Sequence, residues 1–168
     1  MGNFIFNLFA GQDTRLAAVL MALLLSACGI APQQRSAERL PISETGNEVA
    51  IYALDLIDTG YRFGGKNPQA GLDCSGMVSY IYRQAAGLNV SGSAADIARR
   101  GKEIERRSLR PGDLIFFNTM NKPFSHVAIY IGDNRFVHAP STNGKVRIDR
   151  LDNRYYAERF QMARSYFD

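Results

Sequence analysis

Cysteine is scarce in this chain of 168 residues. Only Cys28 and Cys74 occur, which excludes a disulfide-dense scaffold and a four-cysteine zinc ribbon, so each sulfur needs its own explanation. Histidine is equally sparse, with His126 and His138 as the whole supply. Long apolar runs are missing too: the ten apolar positions from Leu16 to Leu25 make about 15 Å of helix, half of a ~30 Å hydrocarbon core. There is no internal repeat and no low-complexity tract. What is present, 46% apolar and 21% charged residues, is the composition of one ordinary globular domain. The net charge of +4 favours anionic surfaces or acidic substrates, yet it is far weaker than that of a nucleic-acid-binding arm.

The apolar run follows Arg15 and ends in Leu25-Ser26-Ala27-Cys28, with small residues before the cysteine. These four residues in that context resemble a bacterial lipobox. The resemblance implies removal of residues 1–27, lipid on the Cys28 sulfur, and attachment to a membrane. The plain alternatives are an ordinary signal peptide and a short buried helix. Gly29 is not the Asp that resembles an inner-membrane retention signal, so the expected location is the outer membrane, facing the periplasm, if the cell is Gram-negative. Export also argues against a nucleic-acid partner. Residues 28–43, with Pro32, Pro41 and no sustained period, read as a tether, leaving 44–168 as the folded domain.

Within that domain the hydrophobic period changes once. Val49, Ala53, Leu56 and Ile57 recur at helical spacing between Glu44 and Asp58, and Met77, Val78, Ile81, Tyr82 and Ala85 do so between Ser75 and Ala86; a short third helix is expected over Ser93–Arg100. Beyond Pro111-Gly112 the period becomes two. Asp113–Asn118, His126–Gly132, Arg135–Ala139, Lys145–Asp149 and Phe160–Ser165 read as strands of a meandering antiparallel sheet. Helices first and strands afterwards predict an α+β domain, with helices packed on one face of a roughly five-stranded sheet.

The residues that can carry chemistry are few. Cys74 lies where a glycine-rich loop, Tyr61–Gly71, meets a helix start, and free N–H groups with the positive end of the helix dipole there favour a thiolate over the thiol. A small buried hydrophobe is the plain alternative. His126, Ala128 and Tyr130 share one face of their strand. His138 joins that face if residue numbers opposed across the hairpin sum to 266, which a three-residue Gly132-Asp133-Asn134 loop produces, but not if they sum to 267, as with a two-residue loop. Asn134 tolerates the left-handed position that the three-residue form requires, so that form is expected. His126 then accepts the Cys74 proton while His138 holds its tautomer and orientation. A thiolate with two imidazoles is also a zinc-ligand set, which keeps metal binding open as a different class.

Five blocks in order, Tyr61-Arg62-Phe63-Gly64-Gly65, Asp73-Cys74-Ser75-Gly76, Leu109-Arg110-Pro111-Gly112-Asp113-Leu114-Ile115-Phe116-Phe117, Ser125-His126-Val127-Ala128-Ile129-Tyr130-Ile131-Gly132 and Phe136-Val137-His138-Ala139, together resemble the NlpC/P60 family of papain-like cysteine peptidases. The resemblance covers about residues 45–165. It implies a papain-like fold, no cofactor and no metal, and hydrolysis of peptidoglycan stem peptides, typically between D-glutamate and a diamino acid. It further implies Cys74 as nucleophile, His126 as general base, His138 as the polar third residue, Tyr61 beside the oxyanion, and Asp73 and Ser75 as substrate contacts. Ser75 has an alternative reading as a helix-start residue, and Tyr61 as a loop aromatic covering the core.

The chain also departs from the family pattern. Ala128 replaces a usual Gly, and Val90–Asp96 lacks the Arg and Gln of a Pro-Arg-Thr/Ser segment followed by Gln, which bears on the pocket rim. No wall-binding module accompanies the domain, so localisation is expected to rest on the lipid, and the protein is expected to be a monomer. The basic stretch Arg99–Arg110, with six Arg or Lys against two Glu, reads as a solvated loop. Tyr155 and Tyr156 are expected to pack mainly under the last strand. A non-catalytic wall-binding or adaptor lipoprotein is the alternative to the enzyme.

Overall fold

The computed structural model describes residues 43–142 and 144–167. The expected signal peptide, the lipidated Cys28 and the tether up to residue 42 lie outside the described residues.

Helix α1, Glu44–Asp55, opens with the Ser43 hydroxyl accepting the Gly46 N–H at 3.2 Å and buries Val49, Ala50 and Ala53. It stops three residues short of the expected end. Leu56 and Ile57 turn back on the carbonyls of Ala53 and Leu54, Asp58 takes a left-handed φ of 69°, and its N–H donates to the Val146 carbonyl. A small β1–β2 hairpin, Lys66–Asn67 with Gly71–Leu72, precedes helix α2, Cys74–Ala86, which Gly87 terminates at φ 65°. The third expected helix is only Ala94–Ala98 (α3), opened by a Ser93/Asp96 capping box.

Six strands form one antiparallel sheet in the order β3-β8-β4-β5-β6-β7. They are β3 Lys102–Ile104, β4 Leu114–Phe117, β5 His126–Gly132, β6 Arg135–His138, β7 Arg147–Arg150 and β8 Phe160–Ser165; a single helical turn, α4 Arg154–Ala157, precedes β8. The unexpected strand is β3, inside the basic stretch read as a loop. Its pairing with β8 sets Glu103 opposite Arg164, and Arg106 stacks over the Phe160 ring at 5.3 Å, so the like charges are dispersed among partners. Charge patterning gave no sign of that pairing.

The alternation of side chains splits the core in two. Leu114, Phe116, Val127, Ile129 and Val137 face the helices, whereas Ile115, Phe117, Ala128, Phe136 and Ala163 face a second cluster closed by Leu151 and Tyr156. Both are dry. Tyr156 is buried in the second cluster with Ala163 and Phe160 of β8 and packs edge-on against Phe117, Phe136 and His138, whereas Tyr155 is exposed and lies under the Arg159 guanidinium at 4.0 Å.

What fixes the start of α2 is the absence of two side chains. A Cβ on Gly76 would lie 1.9 Å from the Gly65 carbonyl oxygen, and one on Gly65 would lie 2.2 Å from that of Gly71. The glycine loop therefore rests directly on the first turn of α2. We expect Gly76→Ala to lose about 1–3 kcal/mol of stability in urea unfolding, whereas Gly60→Ala, which has open space around it, should stay within about 0.5 kcal/mol. Equal effects at the two positions would contradict this packing.

Candidate active site

Strand register brings the two histidines together. Ile129 pairs with Val137 and Tyr130 with Phe136, both summing to 266 as expected, after which the register shifts so that Gly132 faces Arg135. The turn itself differs from the expected three-residue form. Asp133 and Asn134 both have positive φ, 52° and 57°, as in a two-residue primed turn, and a bulge ending at Gly132, φ 96°, supplies the extra residue. Loop length and register were therefore set by separate devices.

On the resulting face, His126 Nε2 and His138 Nδ1 are 2.8 Å apart, and His138 Nε2 is 2.8 Å from Asp149 Oδ2. The same carboxylate oxygen accepts from Arg147 Nε at 2.9 Å and the Tyr156 hydroxyl at 3.0 Å. Asp149 opposes Phe136, and Arg147 opposes His138, across β6 and β7. These neighbours decide the tautomers. Burial disfavours the Asp149 charge, but the bonds from His138, Arg147 and Tyr156 outweigh it and hold the carboxyl at about 2. An ionised carboxylate only accepts, so His138 donates from Nε2 and its Nδ1 accepts from His126 Nε2–H. His126 is left with an unprotonated Nδ1.

Cys74 reaches the site from the helical layer. Asp73 caps α2, its carboxylate accepting from the N–H of Gly76 at 2.6 Å, the N–H of Gly64 at 2.9 Å and the Ser75 hydroxyl at 3.0 Å. Asp73, not Ser75, is thus the helix-start acceptor. The backbone N–H groups of Val127, Ser75 and Cys74 itself favour the charged form of the Cys74 sulfur, and Val127 directly follows His126. Cys74 and His126 line one groove of about 820 Å³, with Tyr61, Asp73 and Ser75 on its wall.

Electrostatics correct one expectation. Burial pushes the Cys74 thiol up and the Asp73 charge adds to this, against the lowering by the backbone N–H of Val127; the helix start does not yield a resting thiolate. Burial, followed by the neighbouring His138 and Arg147 charges, lowers His126 to about 3. His138 is lowered as well, first by burial. The resting pair is a neutral thiol and a neutral imidazole. Burial and the charges of Cys74 and Asp73 raise the Tyr61 phenol, which keeps a hydroxyl beside the sulfur. Both ring nitrogens of His138 and one of His126 are already bonded, and among the described residues no group of three His, Cys, Asp or Glu is arranged to hold a metal.

The NlpC/P60 family model matches residues 58–165. This chain belongs to the NlpC/P60 family. It is 38% identical over 171 aligned positions to "Murein DD-endopeptidase MepS/Murein LD-carboxypeptidase" of Escherichia coli, covering 89% of each chain. It is 35% identical to "Murein DD-endopeptidase MepH" of the same organism, covering 66% of this chain but spanning only 42% of that protein. A NlpC/P60 family protein from Bacillus cereus of known crystal structure superposes with a TM-score of 0.69 at 28% identity, covering 76% of this chain and 42% of the other.

In this NlpC/P60 domain, Asp149, Arg147 and Tyr156 were not singled out as site residues. The alternation of Arg147 and Asp149 was readable, but the connection from Ala139 to Val146 hides which residue of β7 faces His138.

The buried imidazoles give a signed pH dependence. Unfolded, His126 binds a proton near 6.5; in the fold it resists down to about 3. The unfolded chain therefore holds more protons across that window, so stability is full above pH 6.5 and declines as pH falls toward about 3. Asp149, at about 2 against an ordinary 3.8, extends the loss in the same direction. Thermal unfolding should show Tm falling steadily from pH 7 to 4, with a shallower fall in His126→Gln. A flat or rising profile in the parent protein would contradict neutral burial.

Proposed function

We propose that the protein is a cysteine peptidase that hydrolyses an amide bond in peptidoglycan stem peptides. The observation that carries this reading is the directed chain from Asp149 through His138 to His126, which leaves an unprotonated Nδ1 on an imidazole lining the same groove as Cys74. In the reaction, His126 Nδ1 takes the thiol proton as Sγ attacks the substrate carbonyl. Negative charge develops on the carbonyl oxygen, where the Cys74 N–H and the Tyr61 hydroxyl are the available donors. The C–N bond then breaks, the amine takes the proton from His126, and the acyl group stays on sulfur as a thioester. His126 next deprotonates a water, which attacks the thioester and regenerates the thiol. His138 and Asp149 act through His126 by holding its ring and stabilising the transient imidazolium. Asp73 and Ser75 are the substrate contacts on the Cys74 side.

The bond between D-glutamate and the diamino acid is the first candidate for cleavage. A cut between two D-configured centres is the second candidate, supported by the match, over 89% of each chain, to a relative named a DD-endopeptidase. We further propose that residues 1–27 are a lipoprotein signal peptide, that lipid on Cys28 and the 28–43 tether hold the 44–168 domain at the outer membrane facing the periplasm of a Gram-negative cell, and that it acts as a monomer.

Incubation with purified muropeptides and mass spectrometry of the products should show cleavage by the parent protein and at least a hundredfold loss, on the order expected for a removed nucleophile or base, in Cys74→Ala and His126→Ala. In cells, Cys28→Ser should move the protein out of the membrane fraction. Undiminished turnover in either site variant would overturn the mechanism, and membrane retention of Cys28→Ser would overturn the anchor.

A further inference from the structure

We propose that Arg147 recognises a free carboxylate on the leaving residue of the substrate, so that the preferred scissile bond is one whose amine nitrogen sits on a carbon bearing an unblocked carboxylate. This rests on the peptidase reading above and, among the candidate bonds, favours those whose leaving residue keeps a free carboxylate over a D-glutamate to diamino acid bond whose diamino acid is extended at its carboxyl.

The reaction defines the two sides. The acyl half stays on Cys74, whereas the departing nitrogen must take its proton from His126, so the leaving residue lies against the histidine side of the groove. The cation fixed on that side is Arg147. It stands opposite His138 in the sheet, lines the groove with Cys74 and His126, keeps about a third of its side chain (34%) exposed, and carries a charge that reaches His126.

The guanidinium is also held in place. Nε donates to Asp149 Oδ2 at 2.9 Å and Nη1 to the Thr142 carbonyl at 3.3 Å, while the Tyr156 hydroxyl is a further neighbour. These bonds use fewer than its five N–H donors and fix the plane of the rest, which suits a planar carboxylate. The Asp149 charge is shared among Arg147, His138 and Tyr156, and it engages the guanidinium through Nε, leaving other N–H donors of Arg147 for an incoming carboxylate. Lys122, the other cation lining the groove, is on the loop before β5 and is exposed.

The opposite side carries the opposite sign. Asp73 is adjacent to Cys74, and its carboxylate accepts from two backbone N–H groups and a hydroxyl, none of them a cation, so its charge repels an anion there. A substrate with a carboxylate near the scissile bond is consequently oriented with that group toward Arg147. Two sources share this chemistry: the C-terminal residue of a stem peptide, and a diamino acid cross-linked through an amine whose neighbouring carboxylate is free. Both release an α-amino carboxylate.

The test compares free acids with carboxamides on the full chain in detergent. One pair is a stem tetrapeptide and its C-terminal amide; the other is a cross-linked dimer whose carboxylate beside the cross-link amine is free or amidated. The parent protein should cleave the acid with kcat/KM about tenfold above the amide in at least one pair, the magnitude of a charge-assisted contact, and the responsive pair identifies the source. In Arg147→Gln the acid-to-amide ratio should fall to near one, whatever common loss follows from the weaker hold on Asp149. Arg147→Lys should keep part of the preference. Equal cleavage of acid and amide by the parent protein, or an unchanged ratio in Arg147→Gln, would overturn the inference alone. If the parent protein cleaves no muropeptide at all, the peptidase reading falls, and this inference with it.

Discussion

The chemistry of the groove depends on where one proton sits. Asp149, receiving hydrogen bonds from Arg147 and Tyr156 and held ionised at about 2, can only accept from His138. That choice propagates: His138 must then accept from His126, and the lone pair of His126 is left on Nδ1. A carboxylate two residues away in the relay thereby selects the basic atom at its other end. Without it, either tautomer of two bonded imidazoles would satisfy the same 2.8 Å contact, and one of the two presents an N–H where the proposed reaction needs a base.

Burial works with this arrangement and also limits it. Both the thiol and the imidazole are driven to their neutral forms by the low-polarity surroundings, so the pair rests uncharged, and the proposed reaction separates charge only during attack. Three backbone N–H groups favour a charged Cys74 sulfur and the Asp149 carboxylate stands behind the histidines, which suits the two charges of the proposed reaction. The fold supplies these from separate layers. The sulfur is set by the glycine contact under α2, the imidazoles by the β5–β6–β7 register, and the groove runs along the seam.

Much of this was legible in the amino-acid pattern. The change of period after Pro111-Gly112 located the helical and sheet halves, and the alternation in His126–Ile131 put Val127 and Ile129 on the face opposite His126; that face packs on the helices. The 266 register was expected from the tolerance of Asn134 for a left-handed position, although the two-residue turn and the bulge at Gly132 that produce it were not. Strand β3 was hidden by its charges: a Lys-Glu-Ile triplet has no alternation to reveal an edge. Asp149 was hidden for a different reason. An irregular connection of several residues separates β6 from β7, and a slip of one position there would have turned Arg147 and Asp149 to the other face. The sign of the Cys74 shift was missed because a helix start can be recognised in sequence, whereas the burial that opposes it depends on what packs over it.

The most direct test is nitrogen NMR of the full chain labelled with ¹⁵N-histidine. The account predicts that at pH 6 His126 is a neutral imidazole protonated at Nε2, with Nδ1 bare, and that this pattern persists on acidification toward pH 5. A His126 resonance showing Nδ1–H, or an imidazolium at pH 6, would contradict it.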